Sequence, residues 1–240
     1  MNNEEFFDIL KKSFSKYIET NARSNEKLKI LHGAIAEDLH KKLSNTSNVN
    51  GNYSVHSLGF GNGREVGIAG RYANKTVDIA VKKNGNPVAG IAIKYVMSNY
   101  KQNSNNYFEN MLGETANIRS SGIPYFQILV IPDKMPYFDK DGIIKKWEVV
   151  NKRNINKYIV MSNDNVDVYL HAPNKTLISI VNISEGENLS FIDKSCYKKY
   201  YTTSPFSITA SSKSFEFGNN TIYNNCEGFI KSVVSSIIST

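Results

Sequence analysis

The chain has 240 residues, 40% of them apolar, and a formal net charge of +7 with a pI near 9.2. That length buries one full core, giving a single domain over residues 1–240, and the basic balance favours a polyanionic partner such as DNA over an acid-seeking surface. The sequence has no apolar run of about eighteen residues, which argues against a helical membrane span, and the acidic start Met1-Asn2-Asn3-Glu4-Glu5 is unlike a secretory signal. Cys196 and Cys226 fit neither a zinc spacing nor a disulfide framework, so a reducing, cytoplasmic setting is expected.

Apolar positions Phe6, Phe7, Leu10, Phe14 and Tyr17 form a helical stripe over residues 4–17. Leu28, Leu31, Ile35, Leu39 and Leu43 mark a second helix over 25–43. The Ser-, Thr- and Asn-rich stretch 44–52 predicts a loop, 53–58 a strand and 60–63 a turn. Two strands, 75–82 and 88–96, flank Asn84-Gly85, the strongest short-range hairpin signal. A helix over 106–120 is stopped by Gly122-Ile123-Pro124, and 125–131 reads as a buried central strand. A short helix over 151–158, strands over 167–171 and 176–181, a poorly patterned stretch 186–214 and a closing helix over 225–238 complete the chain. The sum is α/β, a central mixed sheet flanked by helices.

Chemistry concentrates in the hairpin. Its first strand, Lys75-Thr76-Val77-Asp78-Ile79-Ala80-Val81, holds one acid among apolar residues, and an acid there is costly to bury unless it is paired or binds a metal. Its second, Gly90-Ile91-Ala92-Ile93-Lys94, holds one lysine, with Ala92 on the same face because strand side chains alternate. The hairpin sets Asp78 beside Lys94. His32, His40, His56 and His171 show no metal spacing and read as structural or surface residues, and Gly59, Gly61 and Gly63 lack the strand–loop–helix context of a phosphate loop.

This arrangement resembles the PD-(D/E)xK nuclease superfamily, in which an acid and then Glu-x-Lys or Asp-x-Lys sit on adjacent strands. Val77 stands where that family often has proline, and Ala92 where it has its second acid. From residue 63 to 133 the order of hairpin, polar arm over 98–110, helix, and strand opening on Pro124-Tyr125 resembles the EcoRI-like type II restriction endonucleases. The resemblance implies a restriction-endonuclease-like fold and Mg²⁺-dependent, site-specific hydrolysis of double-stranded DNA by a homodimer. It assigns the metal to Asp78, the acid expected at position 92 and a helix glutamate, Glu37. Lys94 then orients or deprotonates the attacking water. Asn106, Glu109 and Asn110 fall where such enzymes read bases, with Arg119 further along, while Lys101, Lys82 and Lys83 suit phosphate contacts. Ala92 admits two accounts: a lost Glu or Asp, leaving a chain that binds DNA and cuts little, or a native alanine with another acid such as Glu37 or Glu65 carrying the metal. A repair nuclease of the same superfamily and a non-catalytic DNA-binding protein on a decayed nuclease fold are the alternatives.

Overall fold

The computed structural model describes residues 1–20, 24–45, 51–185 and 191–239; parts of the loop expected over 44–52 and of the stretch 186–214 lie outside these. The chain opens with α1 (Asn3–Glu19) and α2 (Glu26–Ser44), then β1 (Tyr53–Ser57), β2 (Val66–Ala69), β3 (Asn74–Val77), β4 (Ile79–Lys83) and β5 (Asn86–Tyr95). Next come α3 (Tyr100–Arg119), β6 (Tyr125–Pro132), β7 (Lys134–Phe138), β8 (Ile144–Val149) and α4 (Lys152–Met161). It closes with β9 (Lys175–Ile183), α5 (Lys194–Thr203), β10 (Ile208–Ala210), β11 (Thr221–Tyr223) and α6 (Cys226–Ile238). No helix among the described residues is long and apolar enough to cross a membrane.

A mixed sheet in the order β1-β4-β5-β6-β9-β10 forms the centre, with β11 alongside β9. β5, β6 and β9 run parallel, and β1, β4 and β10 join antiparallel. Every residue of β6 is buried, as a strand covered on both faces must be. Its Phe126, Ile128 and Val130 join Phe14, Leu31, Leu39 and Phe229 in a core beneath α1, α2 and α6. Leu129 and Ile131 pack with Tyr100, Met111 and Tyr158 beneath α3 and α4 on the other face. The β4–β5 hairpin turns on Asn84 and Gly85, both at positive φ, as a two-residue primed turn requires.

Several elements differ from expectation. The strand over 75–82 breaks at Asp78, so that β3 pairs with β2 in a separate ribbon while β4 enters the central sheet. The polar arm over 98–110 is helical from residue 100, and a distant residue supplies its cap: the buried Glu148 carboxylate on β8 accepts the Lys101 N–H at 3.1 Å. Asn99, at φ 52, fixes the turn before it by exchanging two hydrogen bonds with the Phe138 backbone. Residues 167–171 form turns rather than a strand, with the Val168 and Tyr169 N–H groups both donating to the Asn165 carbonyl. The β7–β8 hairpin and α5 have no counterpart among the expected elements.

Two close contacts fix the ribbon β2–β3 and the helix α2. The ribbon is clamped to α3 at its tip: Asn117 Oδ1 accepts from the Tyr72 and Ala73 N–H groups, its Nδ2 donates to the Ala73 carbonyl, and its own carbonyl accepts from Arg71. The loop after β1 presses against α2 backbone to backbone. A Cβ on Gly59 would lie 2.2 Å from the Lys29 carbonyl oxygen, and one on Gly33 would lie 2.9 Å from the Gly59 oxygen. Gly59 also holds φ +82, so Gly59→Ala combines a clash with a strained backbone. A loss of roughly 3 kcal/mol, read as a fall in Tm on the order of ten degrees, is expected. Gly85→Asn, at a similar φ with open space around it, should lose about 1 kcal/mol or less.

Candidate active site

The site grows from the break at Asp78. The β4 ladder stops where Ile79 pairs with Ile91, yet β5 continues to Tyr95 because β6 still pairs with it on the other side. The Ile93 N–H therefore lacks a strand partner, and it donates to Asp78 Oδ2 at 2.6 Å. The ribbon register sets Val66 opposite Val77, so the next residues out, Glu65 and Asp78, come together where the ribbon meets the sheet. From the opposite side α2 supplies His32, whose Nδ1 lies 3.9 Å from Asp78 Oδ1. One ligand atom from each of His32, Glu65 and Asp78 falls within 4.8 Å of the others, a grouping that could hold a metal ion.

Burial governs the electrostatics. It pushes the Asp78 carboxyl up to about 6, with Glu114 adding to the rise and the Ile93 N–H, Lys75 and Lys94 opposing it. Burial and the Asp78 charge raise Glu65. Burial lowers Lys94, while Asp78 and Glu114 hold it up. His32 is driven down to about 4 by burial alone, so its imidazole is neutral at pH 7, and neither ring nitrogen has a protein hydrogen-bond partner.

Asp78, Ala92 and Lys94 line one cavity of about 240 Å³ between the sheet and α3. Lys94 is exposed at the cavity rim, with its Nζ 4.2 Å from the centre of the Tyr107 ring. Glu114 projects from α3 into the same cavity, bonded to Lys75 Nζ at 2.5 Å and to the Tyr125 hydroxyl at 3.4 Å. Across from Ala92 on β6 stands Gln127, buried, with no protein partner for its Nε2.

The remaining expected residues spread more widely. Glu37 is not at the cavity: it pairs with Lys41 at 2.7 Å and lines a surface groove beside Met1 and Asp8. The five residues from His32 to Glu37 rotate the helix by roughly 140°, so a helix that presents His32 to Asp78 turns Glu37 outward. Asn110 reaches the cavity mouth, whereas Lys101, Asn106 and Glu109 are exposed along the outer turns of α3. Arg119 faces inward, where Nη1 donates to the Ala172 carbonyl at 2.6 Å and holds the loop after α4. His32 is the residue sequence reasoning missed, since a histidine on a leucine-rich helix that also carries His40 has no local signal of its own. Glu65 carried a faint one, an acid set just before the short alternating run Val66-Gly67-Ile68-Ala69. Comparison of the chain with protein-family models, with curated proteins and with solved structures gave no match.

The Asp78 shift has a measurable sign. A folded-state value raised from 3.8 to about 6 means that folding favours the protonated acid. The penalty for ionising it grows as pH rises through 4 to 6 and is full above about 6. Asn keeps the acceptor for Ile93 without the charge. Asp78→Asn should therefore raise the Tm of metal-free protein by several degrees at pH 8 and change it little below pH 4, as followed by thermal denaturation across pH.

Proposed function

We propose that the chain is a metal-dependent endonuclease that hydrolyses phosphodiester bonds of double-stranded DNA, a type II restriction endonuclease of the PD-(D/E)xK kind. The observation that carries this reading is that Asp78, which lines the cavity with Lys94, also groups with His32 and Glu65 within metal-binding distance. Asp78 and Glu65 supply the oxygen ligands that Mg²⁺, the cation expected from the family resemblance, requires. A divalent cation bound there would polarise the scissile phosphate and acidify a water.

The protein's own groups do the rest. Lys94 lines the cavity with its ammonium disfavoured by desolvation, and from the face of Tyr107 it could reach an attacking water to orient it or take its proton. The water oxygen bonds to phosphorus, the bond from phosphorus to the leaving sugar oxygen breaks, and that oxygen takes a proton from solvent. Lys75, held by Glu114, adds positive charge at the rim where a phosphate chain would pass. The exposed amides of α3 offer bidentate partners for adenine. A palindromic site calls for a two-fold homodimer.

Because Glu65 stands beside Asp78, two carboxylates assemble without any contribution from position 92. This favours the account in which Ala92 is native and the chain cuts as it stands. Ala92 also faces the cavity, so the second account, a lost acid, makes a separable claim. Incubation of supercoiled and linear plasmid with Mg²⁺ or Mn²⁺ decides between them. Discrete double-strand cuts by the present chain, reduced by two or more powers of ten in Asp78→Asn and Lys94→Ala while DNA binding persists, are expected. Cuts that require Ala92→Glu support the lost acid. Binding without cutting in either form supports a non-catalytic DNA-binding protein, and no binding at low salt overturns the reading altogether.

Duplex affinity should also fall steeply with salt. The slope of log K against log salt should approach about −0.9 per phosphate contacted, and Lys75→Ala or Lys101→Ala should each reduce it by roughly one contact. Filter binding between low and moderate salt measures this.

A further inference from the structure

We infer that His32 is a metal ligand and that the site therefore selects a transition-metal dication of the Mn²⁺ type over Mg²⁺. The inference rests on the site described above but concerns its ion rather than its reaction. His32 is 1% exposed and lies on α2 beside the core residue Leu31, and both its ring nitrogens lack a protein partner. Buried side-chain polar groups in folded proteins nearly always have one. The approach to Asp78 supplies the missing partner. At 3.9 Å the Nδ1–Oδ1 distance is too long for a hydrogen bond. Two donors each about 2.1 Å from a shared ion stand between roughly 3.0 Å apart at a right angle and about 4.2 Å apart across it, and 3.9 Å falls inside that range.

The charge balance points the same way. Two carboxylates and a neutral imidazole make a doubly negative set. Lys75 and Lys94 both favour the charged form of Asp78, but neither makes an ion pair with it among the described residues, and Lys75 is bonded to Glu114 on α3. The three ligands also sit on three separately fixed elements. Backbone contact at Gly33 and Gly59 holds the turn of α2 that carries His32. Asn117 clamps the ribbon that carries Glu65. The Ile93 N–H fixes the Asp78 carboxylate. Such fixing is what a built site needs.

Donor type then sets selectivity. Mg²⁺ takes oxygen ligands and keeps several waters, whereas imidazole suits the later first-row dications. One nitrogen and two carboxylates favour Mn²⁺ and its heavier neighbours.

The test uses the whole chain stripped of metal with a chelator. Isothermal titration with MnCl2 and with MgCl2 should give one site per chain and an affinity for Mn²⁺ higher by roughly tenfold or more. His32→Asn should lose about tenfold or more in Mn²⁺ affinity and narrow that gap. Pulsed electron paramagnetic resonance on the unmutated Mn²⁺-loaded chain should show coupling to an imidazole ¹⁴N, a readout that survives even if His32 variants fail to fold. Equal affinities for the two ions, no Mn²⁺ binding, or a Mn²⁺ signal without nitrogen coupling would each overturn the assignment. DNA cleavage with Mg²⁺ and no nitrogen coupling would sink this inference and leave the nuclease reading standing.

Discussion

The site depends on one interruption of the sheet. At Asp78 the chain leaves the β2–β3 ribbon and enters the central sheet as β4, so β5 runs on past its neighbour. A regular strand would have paired Ile93 with backbone and pointed the residue at 78 along the pleat. The break leaves the Ile93 N–H open, and the Asp78 carboxylate fills the place of the missing carbonyl. That bond turns the acid inward, beside Ala92 and Lys94, and sets it at the one level where the ribbon offers Glu65 and α2 offers His32. Move the break by one residue and the side chain faces the other side of the sheet.

This corner carries a cluster of locally unfavourable choices. A carboxyl is driven up by burial, a lysine down, a histidine is buried without a partner, and a glutamine on the central strand has an unsatisfied amide. Buried polar atoms without a hydrogen-bond partner also occur away from this corner, at His40, Tyr53 and Thr221 among others, while many elements follow local rules. α1 carries a reciprocal capping box between Asn2 and Glu5, and β6 alternates between two cores without a misplaced polar group except Gln127. Asp78, Lys94 and Gln127 nonetheless share one cavity, and shifted charges gathered in a cavity are the pattern by which candidate functional sites are found.

What was legible in the sequence was what is decided locally. Asn84-Gly85 fixed the hairpin because its turn needs two residues at positive φ. The leucine stripe placed α2, and the apolar run at 125–131 placed the central strand. What stayed hidden is decided at a distance. The start of α3 depends on Glu148, 47 residues away, and the Asn-rich first turns hold because Phe108 packs on Tyr158. α5, rich in Tyr, Thr and Lys, is held by aromatic contacts of Tyr197 and Tyr201 with Phe14, Trp147 and Phe191. The β7–β8 hairpin carries Pro136 and exposed lysines, which blur its alternation. At the candidate site, Asp78 and Lys94 stood out as charges in apolar strands, whereas the meeting of His32 with Glu65 exists only once α2 and the ribbon are in place.

The clamp at Asn117 makes α3 and the ribbon act as one lever. A side chain on Gly70 would collide with Asn117 Nδ2, so the joint leaves no slack, and the Lys75–Glu114 pair forms a second tie further along. The two ties hold the ribbon's turn and the strand beyond it from Glu65, so the acid that meets Asp78 sits at the end of the ribbon away from the Asn117 clamp.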